Sequence, residues 1–134
     1  MLKHIKILLE AKNLLGICIL FTILFTIAFL YPFKESSLEL NFIVPLDKLI
    51  HVLIYVVLSF LWISYFNIVD VFHYFSINIL IVLLLCFFYG IIIEVIQELF
   101  IPFRKADIFD IVSNMIGSFL GGILFWNVKN RIKS

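Results

Sequence analysis

Four long apolar runs, separated by short polar segments, dominate this sequence. Residues 13–33 and 111–128 contain no charged side chain, and residues 49–69 and 71–93 contain no Asp, Glu, Lys or Arg and one histidine each. A helix needs about 20 mostly apolar residues to cross a bilayer. The pattern therefore predicts four transmembrane helices, at about residues 13–33, 47–68, 75–101 and 107–127.

The composition excludes a soluble protein. Of the 134 residues, 64% are hydrophobic and only 14% are charged, with a mean hydropathy of +1.20. A soluble domain of this size could not cover so much apolar surface, so the solvent must be mostly lipid. The fold class predicted is all-α: a polytopic membrane protein with four transmembrane helices in a compact bundle. The four helices consume nearly the whole chain, which predicts a single membrane domain over residues 1–134.

The number of spans determines which polar residues share a side of the membrane. The second span begins near Asp47, the third ends near Pro102 and the fourth begins near Asp107, so all three points lie on one side. Six Lys and Arg residues flank the ends on the side of the two termini, and four lie on the other side. This excess predicts a multi-pass cell-membrane protein with both termini in the cytoplasm and the polar groups outside. The net charge of +1 gives no reason to expect nucleic acid. The basic ends are expected to contact lipid headgroups.

Helical spacing groups these polar residues into stripes. In the fourth span, one face carries polar residues followed by glycines at spacings of three and four, namely Asp107, Asp110, Asn114, Gly117 and Gly121. The third span has a matching stripe of Gly90, Glu94 and Gln97, and the second has Asp47, His51 and Tyr55. The glycines form a GxxxG pattern that permits close helix packing, either within the chain or between copies in a homo-oligomer.

Glu94 is the most informative residue, because a carboxylate within hydrocarbon costs several kcal/mol and usually faces a protein interior or a water-filled cavity. Its best structural explanation is a buried ion pair with Arg104. Burial would raise the pKa of Glu94 and a nearby arginine would lower it, so the sequence leaves its charge state open.

Several polar residues also have a purely structural explanation. Asp47 and Asp107 stand where helix N-caps are expected. Lys105, beside Pro102, is typical of an interfacial anchor, and His73 is typical of a core or interfacial histidine.

The joint pattern of polar residues resembles a known family. It consists of Asp-Lys-x-x-His at 47–51, Glu-x-x-Gln at 94–97, Pro-x-Arg at 102–104 and Asp-x-x-x-Asn-x-x-Gly at 110–117. In this joint spacing the chain resembles the VanZ-like membrane proteins, from the second span to the fourth. The resemblance implies a small helical membrane protein connected with resistance to the glycopeptide teicoplanin and with the cell envelope. It does not supply a biochemical activity, and Asp107 stands at a position that varies in the family.

Two classes of function are open at this point. As an enzyme, the chain would act on a lipid or a lipid-linked envelope precursor. His51 or Glu94 would then be the acid or base, oriented by Asp47 and Gln97, and Arg104 would hold a phosphate or carboxylate. As a binding or assembly protein, it would hold an anionic headgroup or peptide stem without reaction, or the polar residues would form a structural ion-pair network. The binding residues predicted are Arg104, Lys48, Gln97, Asp110 and Asn114.

No cofactor is indicated by the sequence. A divalent metal between His51, Asp47, Glu94 and Asp110 is compatible with the residue types, but their spacing has no ligand specificity, and we assign no metal from the sequence. The motifs of serine hydrolases, phosphate-binding glycine loops and His-x-x-x-His metal sites are missing from the sequence.

Overall fold

Four membrane-length helices make up the part of the fold that the structure describes, as the sequence predicts. The computed structural model describes residues 2–31, 46–70 and 73–133, and the surroundings of the side chains from residue 9 to residue 132 within those ranges. The helices are α1 (Leu2–Leu30), α2 (Leu46–Val69), α3 (Phe75–Phe100) and α4 (Ile108–Lys133). All four are long and apolar enough to cross a membrane. The protein is therefore an all-α, multi-pass membrane protein whose helices pack as a four-helix bundle.

Two helices extend beyond their predicted ends. Helix α1 begins at Leu2 rather than near residue 13, and α4 continues to Lys133 rather than ending near residue 127. The predicted ends follow the loss of hydrophobicity. The Lys, Leu, Glu and Ala residues before residue 13 and the Lys and Arg residues after residue 128 are good helix formers, and they continue the helices into a polar environment. Residues 32 and 33, which the prediction assigns to the first helix, lie outside the described residues.

Helices α2 and α4 pack most closely, through the glycines of α4. A Cβ atom on Gly117 would overlap the carbonyl oxygen of Val52 and lie 2.9 Å from the Cβ of Tyr55. A Cβ atom on Gly121 would overlap the hydroxyl of Ser59. The GxxxG pattern therefore serves a contact within the chain, where it lets the α4 backbone lie directly against α2.

Helix α1 covers α2 and α3 through polar contacts as well as apolar ones. The Trp62 indole N–H donates to the Thr22 hydroxyl over 3.1 Å, and the Thr26 and Tyr89 hydroxyls lie 2.9 Å apart. Large apolar side chains on all four helices are exposed at the outer surface of the bundle. A bundle with a partly polar interior and an apolar outer surface is suited to a lipid solvent.

A short turn joins α3 to α4 and places the start of α4 over the end of α3. The Ile101 N–H donates to the Gln97 carbonyl, and the Arg104 N–H donates to the Ile101 carbonyl. Phe103 has φ 68°, in the left-handed region that few residues other than glycine adopt, which helps the chain reverse within a few residues. The turn brings Asp107 back to Glu94, two turns inside α3.

Candidate functional site

The polar stripes of three helices meet at one end of the bundle. This end contains the start of α2, the end of α3 and the start of α4, and direct contacts join all three helices there. The end of α1 lies against the same place, where the Phe29 ring is 4.7 Å from the His51 ring, centroid to centroid. The prediction that these polar residues share one side of the bundle is confirmed.

Lys48 lies at the centre of an ion-pair network with Asp47, Asp107 and Asp110. Its ammonium contacts Asp107 Oδ2 at 2.5 Å, forms a short hydrogen bond to Asp110 Oδ1 and lies 3.5 Å from Asp47 Oδ2. The sequence assigns Lys48 and Asp110 to ligand binding, but in the structure each is the other's closest polar partner. The network links the first turns of α2 and α4.

Asp107 caps α4. Its Oδ1 accepts the Phe109 N–H over 2.8 Å, which satisfies one of the free amides at the start of the helix. The hydrogen bond from the Lys48 ammonium to the other oxygen holds the pKa of the Asp107 carboxyl below its usual range. The structural explanation of Asp107 as an N-cap is therefore confirmed.

Glu94 has a different partner from the one predicted. Its Oε2 accepts the backbone N–H of Asp107 over 3.0 Å, so the carboxylate lies at the N-terminus of α4, where the helix dipole favours a negative charge. Among the ion pairs of the described residues, none joins Glu94 to Arg104. The other carboxylate oxygen, Oε1, is buried without any hydrogen-bond partner, and the residue is 1% exposed.

Gln97 and Arg104 both reach the end of α1. The Gln97 side-chain amide donates to the Phe29 carbonyl over 2.7 Å, and the Arg104 guanidinium donates to the same carbonyl over 3.4 Å. The last carbonyls of a helix have no partner within the helix, so these donors satisfy one of them. The hydrogen bond of Gln97 thus joins the end of α1 to α3. Arg104, which is half-buried, has donors left over beyond this contact.

His51 is oriented by Asn114. The His51 Nδ1 lies 2.9 Å from Asn114 Oδ1, so Nδ1 carries the hydrogen and Asn114 accepts it. The Nε2 atom lies 3.8 Å from Asp47 Oδ1 and 3.9 Å from Asp110 Oδ2, beyond hydrogen-bond distance of both. His51 is 2% exposed. A buried imidazole is therefore held by one nitrogen while the other faces two carboxylates.

Tyr55 belongs to the site although the sequence assigns it no role there. It lies one turn beyond His51, is fully buried, and its hydroxyl lacks a hydrogen-bond partner. Both this hydroxyl and the Asn114 Nδ2 lie against Gly90, where a Cβ atom would be 3.2 Å and 2.9 Å from them respectively. The i, i+4 spacing between His51 and Tyr55 is the sequence signal that could have assigned Tyr55 to the site. We call His51, Tyr55, Glu94 and Asn114 the buried polar cluster.

The opposite end of the bundle carries little comparable chemistry among the described residues. Asp70 and His73 form an exposed pair, with Asp70 Oδ2 3.2 Å from His73 Nδ1. Asn78, in the first turn of α3, is buried and its side-chain amide has no hydrogen-bond partner. None of the ionisable groups described at this end is buried as Glu94 and His51 are.

An apolar cleft lies between α1, α2 and α3 near the buried polar cluster. Its volume is about 260 Å³, and its lining includes Leu58, Trp62, Leu85 and Tyr89. The Tyr89 ring is 6.1 Å from the ring of Tyr55, centroid to centroid, so the cleft and the cluster adjoin. The cleft is lined mostly by apolar side chains, so it suits a hydrocarbon chain.

Comparison with protein-family models, with curated proteins and with solved structures gives no match. Fold and site together define a class: a four-span helical membrane protein with buried ionisable groups gathered at one end of its bundle.

Proposed function

We propose that the buried polar cluster binds the polar headgroup of a lipid or of a lipid-linked envelope precursor, with part of its hydrocarbon chain in the adjoining cleft. The observation that carries this proposal is the pair of unpartnered atoms Glu94 Oε1 and Tyr55 Oη. Buried polar groups are nearly always hydrogen-bonded, and an unpaired one costs about 1–3 kcal/mol. A ligand that bonds to these atoms would remove that cost.

The chemistry of the cluster indicates the kind of headgroup. Glu94 Oε1 requires a hydrogen-bond donor, such as an ammonium or a hydroxyl, whereas Arg104 has donors available for a phosphate or carboxylate. A headgroup that carries both an anion and a hydrogen-bond donor fits these two residues better than a simple anion does. Phosphatidylethanolamine has this chemistry, as does a phosphate-linked sugar.

The apolar cleft supports a lipid rather than a soluble ligand. Its volume of about 260 Å³ is close to the lower end of the range of roughly 300–1,000 Å³ for small-molecule sites. Trp62 and Tyr89 contribute aromatic surface to its lining, and Leu85, which also lines it, is exposed at the outer surface of the bundle.

The ion-pair network of Lys48 favours a second function, structural support, for the outermost part of the site. There the Lys48 ammonium contacts three carboxylates, and these contacts tie α2 to α4. The network and the buried polar cluster thus have separate functions in this proposal: the network holds the two helices in place, and the cluster, which has unpaired atoms, binds the ligand.

The resemblance to the VanZ-like proteins extends the proposal to the cell envelope. On that basis we infer that the ligand belongs to the cell envelope and that binding alters susceptibility to teicoplanin. The excess of Lys and Arg near the termini orients the cluster toward the outer side, where such a ligand is exposed. To test this orientation, a cysteine is introduced at Ser36 or at Ser134 and is labelled with a reagent added outside the cell.

Neutral isosteres test whether the cluster is a site or only part of the scaffold. Glu94→Gln keeps an acceptor for the Asp107 N–H, and His51→Asn keeps a donor for Asn114 Oδ1, so both variants should insert and fold nearly as wild type. We expect both to lose the teicoplanin phenotype that the wild-type protein confers on cells. The measurement is the minimal inhibitory concentration at matched membrane levels of protein.

Asp70→Asn and His73→Gln are the matched controls, because they likewise replace a carboxylate and an imidazole, here in the exposed pair at the other end of the bundle. They should leave the phenotype unchanged. Retention of the phenotype by Glu94→Gln and His51→Asn at wild-type protein levels would contradict the proposal. A parallel loss of stability and phenotype would instead favour a structural role for the cluster.

A further inference from the structure

We propose that Asp47, His51 and Asp110 bind a divalent metal ion of the zinc type. One ligand atom from each of the three residues can be chosen so that all three lie within 4.8 Å of one another. Ligand atoms about 2.1 Å from one tetrahedral zinc ion are about 3.4 Å apart, so the widest pair needs to approach by up to about 1.4 Å. Asp47 and His51 are one turn apart on α2, and Asp110 faces them from the first turn of α4.

The unpartnered nitrogen of His51 is the observation that points to a ligand. Its Nδ1–H is donated to Asn114, whereas Nε2 lies near Asp47 Oδ1 and Asp110 Oδ2, at 3.8 Å and 3.9 Å, beyond hydrogen-bond distance of both. An acceptor that faces two other acceptors is stabilised only if a cation, either a proton or a metal, lies between them. Metal-binding histidines usually donate their other N–H to an oxygen in this way, which fixes the ring.

Lys48 leaves the proposed site free, because Asp47 and Asp110 each contact its ammonium with one carboxylate oxygen and have the other oxygen available for the metal ion. The ammonium contacts Asp47 Oδ2 and Asp110 Oδ1, whereas the oxygens nearest His51 are Asp47 Oδ1 and Asp110 Oδ2. Three carboxylates against one ammonium leave two negative charges in the network. A divalent ion would neutralise them.

The donor set indicates which metals are suitable. One imidazole nitrogen and two carboxylate oxygens suit zinc or manganese, whereas magnesium favours oxygen ligands alone. Three protein ligands leave further positions for water or for an oxygen of a bound headgroup. The inference does not depend on the proposed function, since binding of the metal can be measured without any lipid or phenotype.

A zinc titration tests the inference. The full chain, purified in detergent with an affinity tag free of histidine and stripped with EDTA, is titrated with Zn²⁺ in competition with a chromophoric indicator. We expect one Zn²⁺ per chain, and we expect Asp47→Asn and His51→Asn each to weaken binding by about 10- to 100-fold, the size of effect seen when even the outer partners of a metal site are lost. Magnesium at the same concentration should not displace zinc.

The double variant Asp70→Asn with His73→Gln controls for adventitious binding, because it removes the exposed carboxylate–imidazole pair at the other end of the bundle. It should bind zinc as the wild type does. Asp47 is half-exposed at the start of α2, so Asp47→Asn remains a fair test even if His51→Asn fails to fold. A stoichiometry far below one, or equal affinity in wild type and Asp47→Asn, would overturn the inference.

Discussion

Alanine at Gly121 and alanine at Gly117 should each lower the free energy of unfolding by about 2–3 kcal/mol. The double replacement should prevent a stable bundle. At Gly121 the new Cβ would overlap the Ser59 hydroxyl and lie 3.2 Å from the Phe60 backbone nitrogen. At Gly117 it would overlap the Val52 carbonyl oxygen. Since backbone atoms of α2 are among those contacted, the two helices must separate to make room. Unfolding in mixed detergent micelles measures the loss.

Gly16 and Gly122 are the matched controls for this prediction. A Cβ atom on Gly16 has no neighbour within 4 Å, and one on Gly122 would lie 3.7 Å from Ile63 Cδ1, an ordinary van der Waals distance. Alanine at either position should leave stability unchanged or raise it slightly, because alanine is the better helix former. Equal losses at all four glycines would show that helix separation is not the cause.

The glycines show what sequence reasoning can achieve for the fold. Spacings of three and four predicted that Gly117 and Gly121 share a face with Asp110 and Asn114, and that this face packs closely. The pattern left open whether the close contact lies within the chain or between copies. That choice depends on how α2 and α4 are arranged, which the spacing within one helix does not encode.

Lys48→Met should lower the free energy of unfolding by about 2–4 kcal/mol, the second large effect that the structure predicts. Methionine has nearly the same length as lysine, so the change removes the charge with little change in packing. Asp107 and Asp110 would then lose their shared cation, and a partly buried charge left without its partner is strongly destabilising. The same unfolding measurement in detergent micelles applies.

Lys105→Met is the control, since Lys105 is exposed in the turn between α3 and α4, and the change should cost little. Adding Asp110→Asn to Lys48→Met should recover part of the stability, because it removes one of the unpaired charges. If the double variant is less stable than the sum of the two single changes, Lys48 does not neutralise Asp110 in the way the structure indicates.

Glu94 shows where sequence reasoning reaches its limit at the site. Its position inside an apolar helix correctly indicated a buried and compensated carboxylate. The predicted partner, Arg104, was wrong, because the backbone N–H of Asp107 at the start of α4 reaches the carboxylate instead. Backbone donors at helix ends are present whatever the side chains are, so a search for complementary charges overlooks them.

The same limit applies to Gln97 and Arg104. Both were predicted to bind a ligand, and in the structure both donate a hydrogen bond to the carbonyl of Phe29 near the end of α1. A carbonyl at a helix end leaves no signal in residue type, and Phe29 itself reads only as an apolar residue. The sequence thus predicted which residues meet, through span number and helical phase, but not which atoms bond.

Native mass spectrometry of bound lipid tests the central claim most directly, namely that the buried polar cluster holds a headgroup. The protein is released from nanodiscs that contain phosphatidylethanolamine and phosphatidylglycerol, and the retained lipids are counted for wild type, Glu94→Gln and Asp70→Asn. The proposal predicts that wild type and Asp70→Asn retain one phosphatidylethanolamine. Glu94→Gln should bind it about 10- to 100-fold more weakly, since a hydrogen bond to a charged group contributes about 1.5–3 kcal/mol. Equal retention by wild type and Glu94→Gln, or no lipid retained by wild type, would contradict the claim.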